Sequence, residues 1–493
     1  LPEENPIPTT TALPLRYLVL QYANTAFNII FPLILFPYTT RVLGPAGYGV
    51  IGFYESMLLV VSVWAAFGVN FFGLRLLSKS AIGDTAQANR VLHLLLINLL
   101  MAMAGVVVYL LYVLNKAIPI GSRQITFLYA YIMLIYMVHL DWYFQSQERF
   151  RFLMLRTFFL RVFILVGSLL FVKKADDLII YILISTFNYS LIALSSIWNI
   201  RDLFPHWKWD PALFRDLIRS MFPFAAIGVL SALYFSWDTI LLARIGKVAD
   251  LGHYTVAAKI VRLSMNVFVG ASIVFFVRLF RTEVDRNLQE QSVKMTIHFS
   301  LPIAALIFCF AQPIIFFVSG KAYLPSVVLL RIFALLWVVV PLHDFFTIQV
   351  LLVHHREKLL ALLYLSASII SLLLNLLLIP LYFTTGAAVS VVIVEFMVLV
   401  AGIYFSRRYF HFGTALLREF VFAASSFPVA LLAAQVAFII TDMPFLQLVS
   451  GVLVFGAGYA LLQLVIFRNG FWTGLLVLVR DKLSGKRSME LDQ

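Results

Sequence analysis

Lys259, Arg262 and Asn266 stand at i, i+3 and i+7 of an otherwise apolar stretch, a spacing that sets two cations and an amide on one stripe of a helix. A guanidinium holds phosphate oxygens through a fork of donors and a lysine adds a point charge, so the stripe suits an anionic ligand carrying phosphate. Ion pairing with carboxylates of neighbouring helices is the plainer use. The carboxylates within apolar runs are few, Glu55, Asp238, Asp344 and Glu395, and Arg331 adds a third cation of the same kind. Internal pairing is the expectation for Asp344 and Glu395. It accounts less well for Lys259 with Arg262, because two neighbouring cations need more anions than the sequence offers.

A second cluster is DWYFQSQERFRFLMLR, residues 141–156, where Asp141 and Glu148 meet several arginines. Three readings compete: a catalytic acid pair, a surface turn, or the place where a chain leaves a membrane. His139, His343, His354 and His355 have no metal-ligand partner four residues on along a common face and are read as packed or interfacial histidines. The single Cys309 forbids an intrachain disulfide. Neither a phosphate-cradling Gly-rich loop nor a Ser-His-Asp order occurs, so ATP hydrolysis and hydrolytic catalysis find no support and no cofactor is expected.

The elements that must position these residues are set by the solvent. Of 493 residues 62% are hydrophobic and 12% charged, against about 25% charged in a soluble globule, and the mean hydropathy is +0.95. Such a chain lies in lipid. Apolar windows predict membrane helices over 15–38, 48–72, 90–114, 124–146, 152–172, 178–200, 222–245, 253–280, 294–318, 326–353, 359–380, 384–406, 418–440 and 446–468, about fourteen in all. The net charge of +13 is spread through short loops rather than gathered into a patch, which argues for membrane topology and against nucleic acid. With the N-terminus inside, roughly 25 basic residues fall on inner loops and termini and roughly 8 on outer loops. Both termini are therefore expected in the cytoplasm, and 141–156 becomes the inner exit of the fourth helix. Residues 1–14, rich in Pro and Thr, lack the features of a signal peptide and read as a cytoplasmic tail. Loops of about 20 residues or fewer leave no room for a soluble domain, which disfavours a membrane glycosyltransferase or polymerase.

RVLGPAGYGVIGFYE from Arg41 and ARIGKVADLGHYTVAAK from Ala243 share an Arg, a Gly soon after it, and a Gly and Tyr leading into the next helix. Six helices separate them, an even number, so the halves enter the membrane in the same direction as parallel repeats. The expected organisation is an N-lobe over 15–200, a C-lobe over 201–408, two added helices over 409–470 and a basic tail over 471–493. Pro32, Pro37, Pro302, Pro313, Pro341 and Pro428 interrupt helices, and Pro32 is the leading hinge candidate.

FPLILFPYTTRVLGPAGYG (31–49), FGVNFFGLRLLSK (67–79), DWYFQSQERFRFLMLRTFFLRVFILVGSLLFVKKADDLIIY (141–181) and, more diffusely, 236–263 closely resemble the Wzx-type O-antigen flippases, in the polysaccharide-transport branch of the multidrug/oligosaccharidyl-lipid/polysaccharide exporter superfamily. The resemblance implies an all-α membrane protein with two six-helix lobes around a central cavity. It also implies alternating access that moves a polyprenyl-diphosphate-linked oligosaccharide across the bacterial inner membrane. Ser146 stands where that family often has Gly. On this reading Asp141 and Glu148 are partners of Arg149, Arg156 or Arg161 rather than acids in catalysis. Lys259 and Arg262, with Arg41, Arg331 and Asn266, would hold the diphosphate. A proton or Na⁺ gradient would supply energy through Asp238 and Glu55, carboxylates in low dielectric beside cations. Membrane lipids and polysaccharide polymerase machinery are the expected partners of a monomer. The rival is an organic-cation or drug exporter of the same superfamily, whose cavity should be acidic; three cations against two carboxylates among the outer-half residues favour an anionic headgroup.

Overall fold

The computed structural model describes residues 15–77, 85–114, 121–234, 236–281, 286–354, 356–410 and 413–483, with several side chains, those of 15–26 and 266–281 above all, outside the description. Helix is the only regular structure among the described residues. Two compact units divide at Ser236 and Trp237.

Unit 1 holds α1 (Leu15–Ala66), α2 (Val69–Leu77), α3 (Thr85–Leu114), α4 (Arg123–Tyr136), α5 (Asp141–Ser146), α6 (Phe150–Phe171), α7 (Leu178–Ile200) and α8 (Pro211–Tyr234). Its core gathers Val69, Leu77, Leu94, Trp142, Phe144 and Met221. The packing of α2 on α5 depends on a missing side chain, because a Cβ at Gly73 would lie 2.8 Å from the Trp142 ring.

Unit 2 holds α9 (Trp237–Ile245), α10 (Val248–Arg281), α11 (Arg286–Cys309), α12 (Ala311–Ser319), α13 (Ser326–Ala334), α14 (Leu336–Asp344), α15 (Glu357–Ser406), α16 (Thr414–Ala424), α17 (Ser426–Ile440), α18 (Pro444–Leu461) and α19 (Gly470–Leu483). α14 runs on as a π-helix over Phe345–Leu352. The last helices dock through Ala430, Ala433, Ala434 and Ala437, whose i, i+3, i+4, i+7 stripe packs with Phe310, Phe455 and Tyr459; small residues let membrane helices approach closely.

Among the described residues eleven helical stretches are long and apolar enough to cross a membrane. Two of them, Ile30–Ala66 and Lys358–Ser406, have 37 and 49 residues. At about 1.5 Å per residue the helices they belong to, α1 with 52 residues and α15 with 50, are long enough for two crossings of a hydrocarbon core of about 30 Å. Each also breaks: α1 at Gly44 (φ 66°) and α15 at Phe383 (φ 50°). With these two divided, the expected helix over 253–280 lies within α10, which is not among the eleven, and the one expected over 222–245 is split between α8 and α9. Outward faces carry exposed Val108, Leu111, Ile439 and Leu453, as contact with lipid tails allows.

Candidate functional site

The motif at 31–49 explains the break in α1. Thr39 and Thr40 donate to the carbonyls of Leu35 and Phe36 one turn back, both at 2.9 Å, a bonding that bends helices. Gly44 then takes the left-handed conformation that side-chain-bearing residues avoid. Tyr48, beyond the break, shares a buried hydrogen bond of 2.6 Å with the Thr39 hydroxyl, and Tyr38 donates to the Val172 carbonyl at 2.6 Å. The departure from helical dihedrals is at Gly44, while the hinge candidate Pro32 lies half-buried inside continuous helix.

The second half of the repeat is built alike. α9 ends at Ile245, Gly246 follows, and α10 brings Tyr254 back to the helix before it. There its hydroxyl donates to Asp238 Oδ2. Asp238 Oδ1 accepts from the Thr239 amide at 2.5 Å and the Thr239 hydroxyl at 3.1 Å. Asp238 is thus held by a tyrosine and a threonine, which the turn at Gly246 brings to it. Arg262 is exposed, and its charge reaches the Tyr254 hydroxyl. Lys259, one turn earlier, is half-buried. Arg331 on α13 is exposed and lies over the Phe308 ring at 6.0 Å. The Asn266 side chain lies outside the described residues. Arg41 and Glu55 belong to unit 1 and are both exposed; the Glu55 charge reaches the Tyr48, Tyr129 and Tyr189 hydroxyls.

In residues 141–156, α5 is a single turn and a half between two left-handed residues, Leu140 and Glu148. Arg156 Nη2 meets Asp141 Oδ1 at 2.5 Å, and its Nη1 donates to Ser196 Oγ at 3.2 Å. Asp141 is thus an arginine partner, as the resemblance implies.

One cluster escaped the sequence reading. His343 on α14, taken as a packed histidine, has its Nε2 3.1 Å from Glu395 Oε2 of α15 and 3.8 Å from Asp344 Oδ1. His343 and Glu395 are buried, while the Asp344 side chain keeps 38% exposure. Internal ion pairing was expected for Asp344 and Glu395, but a histidine as the partner they share was not. The signal available was the run HDFF inside an apolar helix; its partner is 51 or 52 positions away and becomes visible only once α14 packs on α15. A turn further on, Ser292 Oγ donates to Gln349 Oε1 at 2.6 Å and Gln289 Nε2 to the Gln349 carbonyl at 3.3 Å. Among the described residues no set of three His, Cys, Asp or Glu side chains is arranged to hold a metal ion.

These features define a class: a multi-pass, all-helical membrane transporter built from two units. By structure the chain is similar to the lipid II flippase MurJ in an inward closed conformation, at 14% identity and a TM-score of 0.72, covering 92% of this chain and 99% of that one. It is also similar to an inward-facing multidrug resistance MATE family transporter of the MOP superfamily, at 13% identity and a TM-score of 0.60, covering 80% and 97%. The family described as "Polysaccharide biosynthesis protein" matches residues 18–283, and the chain belongs to that family. Relatives named "Putative O-antigen transporter" are 22% identical over 396 residues in Escherichia coli (strain K12), covering 75% of this chain and 91% of that protein, and 21% identical over 384 residues in Shigella dysenteriae, covering 75% and 94%. The resemblance read from 31–49, 67–79 and 141–181 is borne out.

Proposed function

We propose that this transporter carries a polyprenyl-diphosphate-linked oligosaccharide, an O-antigen or exopolysaccharide repeat unit, from the inner to the outer leaflet of a bacterial cytoplasmic membrane by alternating access. Both termini lie in the cytoplasm, and polysaccharide polymerase machinery receives the product. Family membership over 18–283 carries the reading. The chemistry agrees with it: an exposed Arg262 a turn beyond the half-buried Lys259 on α10 offers forked and point-charge donors to a diphosphate. Arg41 and Arg331 assist, together with Asn266. The energy comes from a proton or Na⁺ gradient; of the two carboxylates that the sequence offers as carriers, Asp238 is held by Tyr254 and Thr239 and Glu55 is exposed.

Complementation of a flippase-deficient strain tests the headgroup contact. Arg262→Ala is expected to abolish surface polysaccharide while membrane levels of the protein persist, and Arg262→Lys to leave partial activity, since the charge remains and the fork is lost. Full activity of the Lys259→Ala/Arg262→Ala double variant would remove these residues from the site. Transport of organic cations in place of a lipid-linked sugar by purified protein in vesicles would favour the exporter reading.

A further inference from the structure

Glu395 stands about halfway between the break at Phe383 and the end of α15 at Ser406, roughly 17 Å of helix from either. Its depth is that of the middle of a crossing, where an unpaired charge is costly. Its Oε2 lies 3.1 Å from His343 Nε2 without the alignment of a hydrogen bond, and His343 Nδ1 makes no hydrogen bond among the described residues. Asp344, the third member, is the least buried, its side chain 38% exposed. The charges acting on Asp344 are those of His343 and Glu395.

Among the described residues the charges that act on His343 and Asp344 are those of the cluster itself. From α15, Tyr364 faces both carboxylates. From α11 come the neutral Gln289 and Ser292, while Glu290 pairs with Lys294 at 3.7 Å and His298 with Glu419 at 3.0 Å. Arg331 of α13 lies over Phe308, and Arg262 of α10 acts on Tyr254. Two carboxylates and one imidazole therefore balance their charges among themselves, and they reach neutrality with an imidazolium, one carboxylate and one carboxylic acid. Removing one proton leaves the set at one negative charge, which a low dielectric resists unless the surroundings change.

We propose that His343, Glu395 and Asp344 form a proton-exchange site, with Asp344 as the water-facing port, His343 Nε2 as the hand-over and Glu395 as the buried acceptor. In the loaded state the cluster holds two protons beyond the neutral imidazole with two carboxylates. It yields one through Asp344 to water on one side and regains one from the other side after the transporter changes state. The adjoining π-helix, Phe345–Leu352, gives α14 a segment of looser hydrogen bonding able to shift against α15. This assigns the ion of the proposed gradient coupling, and so rests on that reading, but the site itself is testable without any substrate.

Infrared difference spectra of the purified full-length protein, taken between about pH 8 and about pH 5, are expected to show a buried carboxylic-acid band that is missing in Glu395→Gln and shifted in His343→Gln. Identical spectra in all three proteins would overturn the site. In vesicles containing a fluorescent polyprenyl-diphosphate-linked sugar, the wild-type rate is expected to rise several-fold under an imposed pH gradient. That ratio should fall to one in Glu395→Gln and recover in part in Glu395→Asp, which separates loss of coupling from misfolding. An unchanged ratio in Glu395→Gln overturns the proposal, as does a wild-type response to Na⁺ in place of protons. The titrating band with no movement of the sugar by the wild type supports the site and sinks the flippase reading instead.

Discussion

Asp238 and Glu395 are both buried carboxylates in unit 2, yet their surroundings differ in kind. Asp238 accepts from Tyr254, the Thr239 amide and the Thr239 hydroxyl, so both oxygens are held. Glu395 has one imidazole close by and an Oε2 without an aligned donor. A carboxylate with every lone-pair direction answered by a fixed donor is part of the scaffold, because changing its protonation breaks bonds that nothing replaces. A carboxylate facing a titratable group gains as much from one proton distribution as from another. The difference separates a brace from a switch, and it predicts opposite responses to the same isosteric change.

The largest contrast is expected from Asp238→Asn against Glu395→Gln. At position 238 an amide NH₂ must face a hydroxyl or an N–H that formerly donated, which costs about 2–3 kcal/mol. At position 395 no aligned donor is lost, and Asp344 remains to balance a His343 imidazolium, so the expected loss is smaller, about 1 kcal/mol. Thermal unfolding of the purified proteins in one detergent measures both. Equal losses at the two positions would erase the contrast.

Tyr254→Phe is the next step down. It removes one donor and leaves Thr239 in place, for an expected loss of about 1–2 kcal/mol with the response of transport to a pH gradient retained. A variant that unfolds like wild type but no longer responds to the gradient would shift the coupling role back to Asp238.

Much of this fold was readable from the sequence, and the reasons are specific. Apolar runs mark helices wherever lipid is the solvent, and each of the two Gly-Tyr motifs lies at a helix break, with Tyr48 on Thr39 and Tyr254 on Asp238. Asp141 with Arg156 followed from proximity along the chain and a resemblance. The His343–Glu395 pair did not, because a contact over 52 residues depends on which faces α14 and α15 turn to each other, and apolar helices with little periodicity conceal their faces. α1 leaves helical dihedrals at Gly44, where φ is positive, and not at Pro32, because a proline can be accommodated inside a membrane helix.

The smallest expected effect tests whether the segment beside the cluster is held loosely, as a moving part requires. Gln349 sits in the π-helix and is tied to α11 through Ser292, at 2.6 Å, and Gln289, at 3.3 Å to its carbonyl. Ser292→Ala deletes a neutral hydrogen bond and leaves the Gln349 Oε1 without that donor, a loss of about 1 kcal/mol. Phe345 and Phe346, buried against Phe410, still anchor the start of the π segment. Global unfolding should therefore scarcely move, while amide hydrogen exchange should quicken across Phe345–Leu352 and leave Trp237–Ile245, which carries the well-braced Asp238, unchanged. Faster exchange in both segments would mean that the whole unit loosens together. The comparison between a braced and a mobile carboxylate would then lose its structural basis, since Glu395 would sit on scaffold as rigid as that around Asp238.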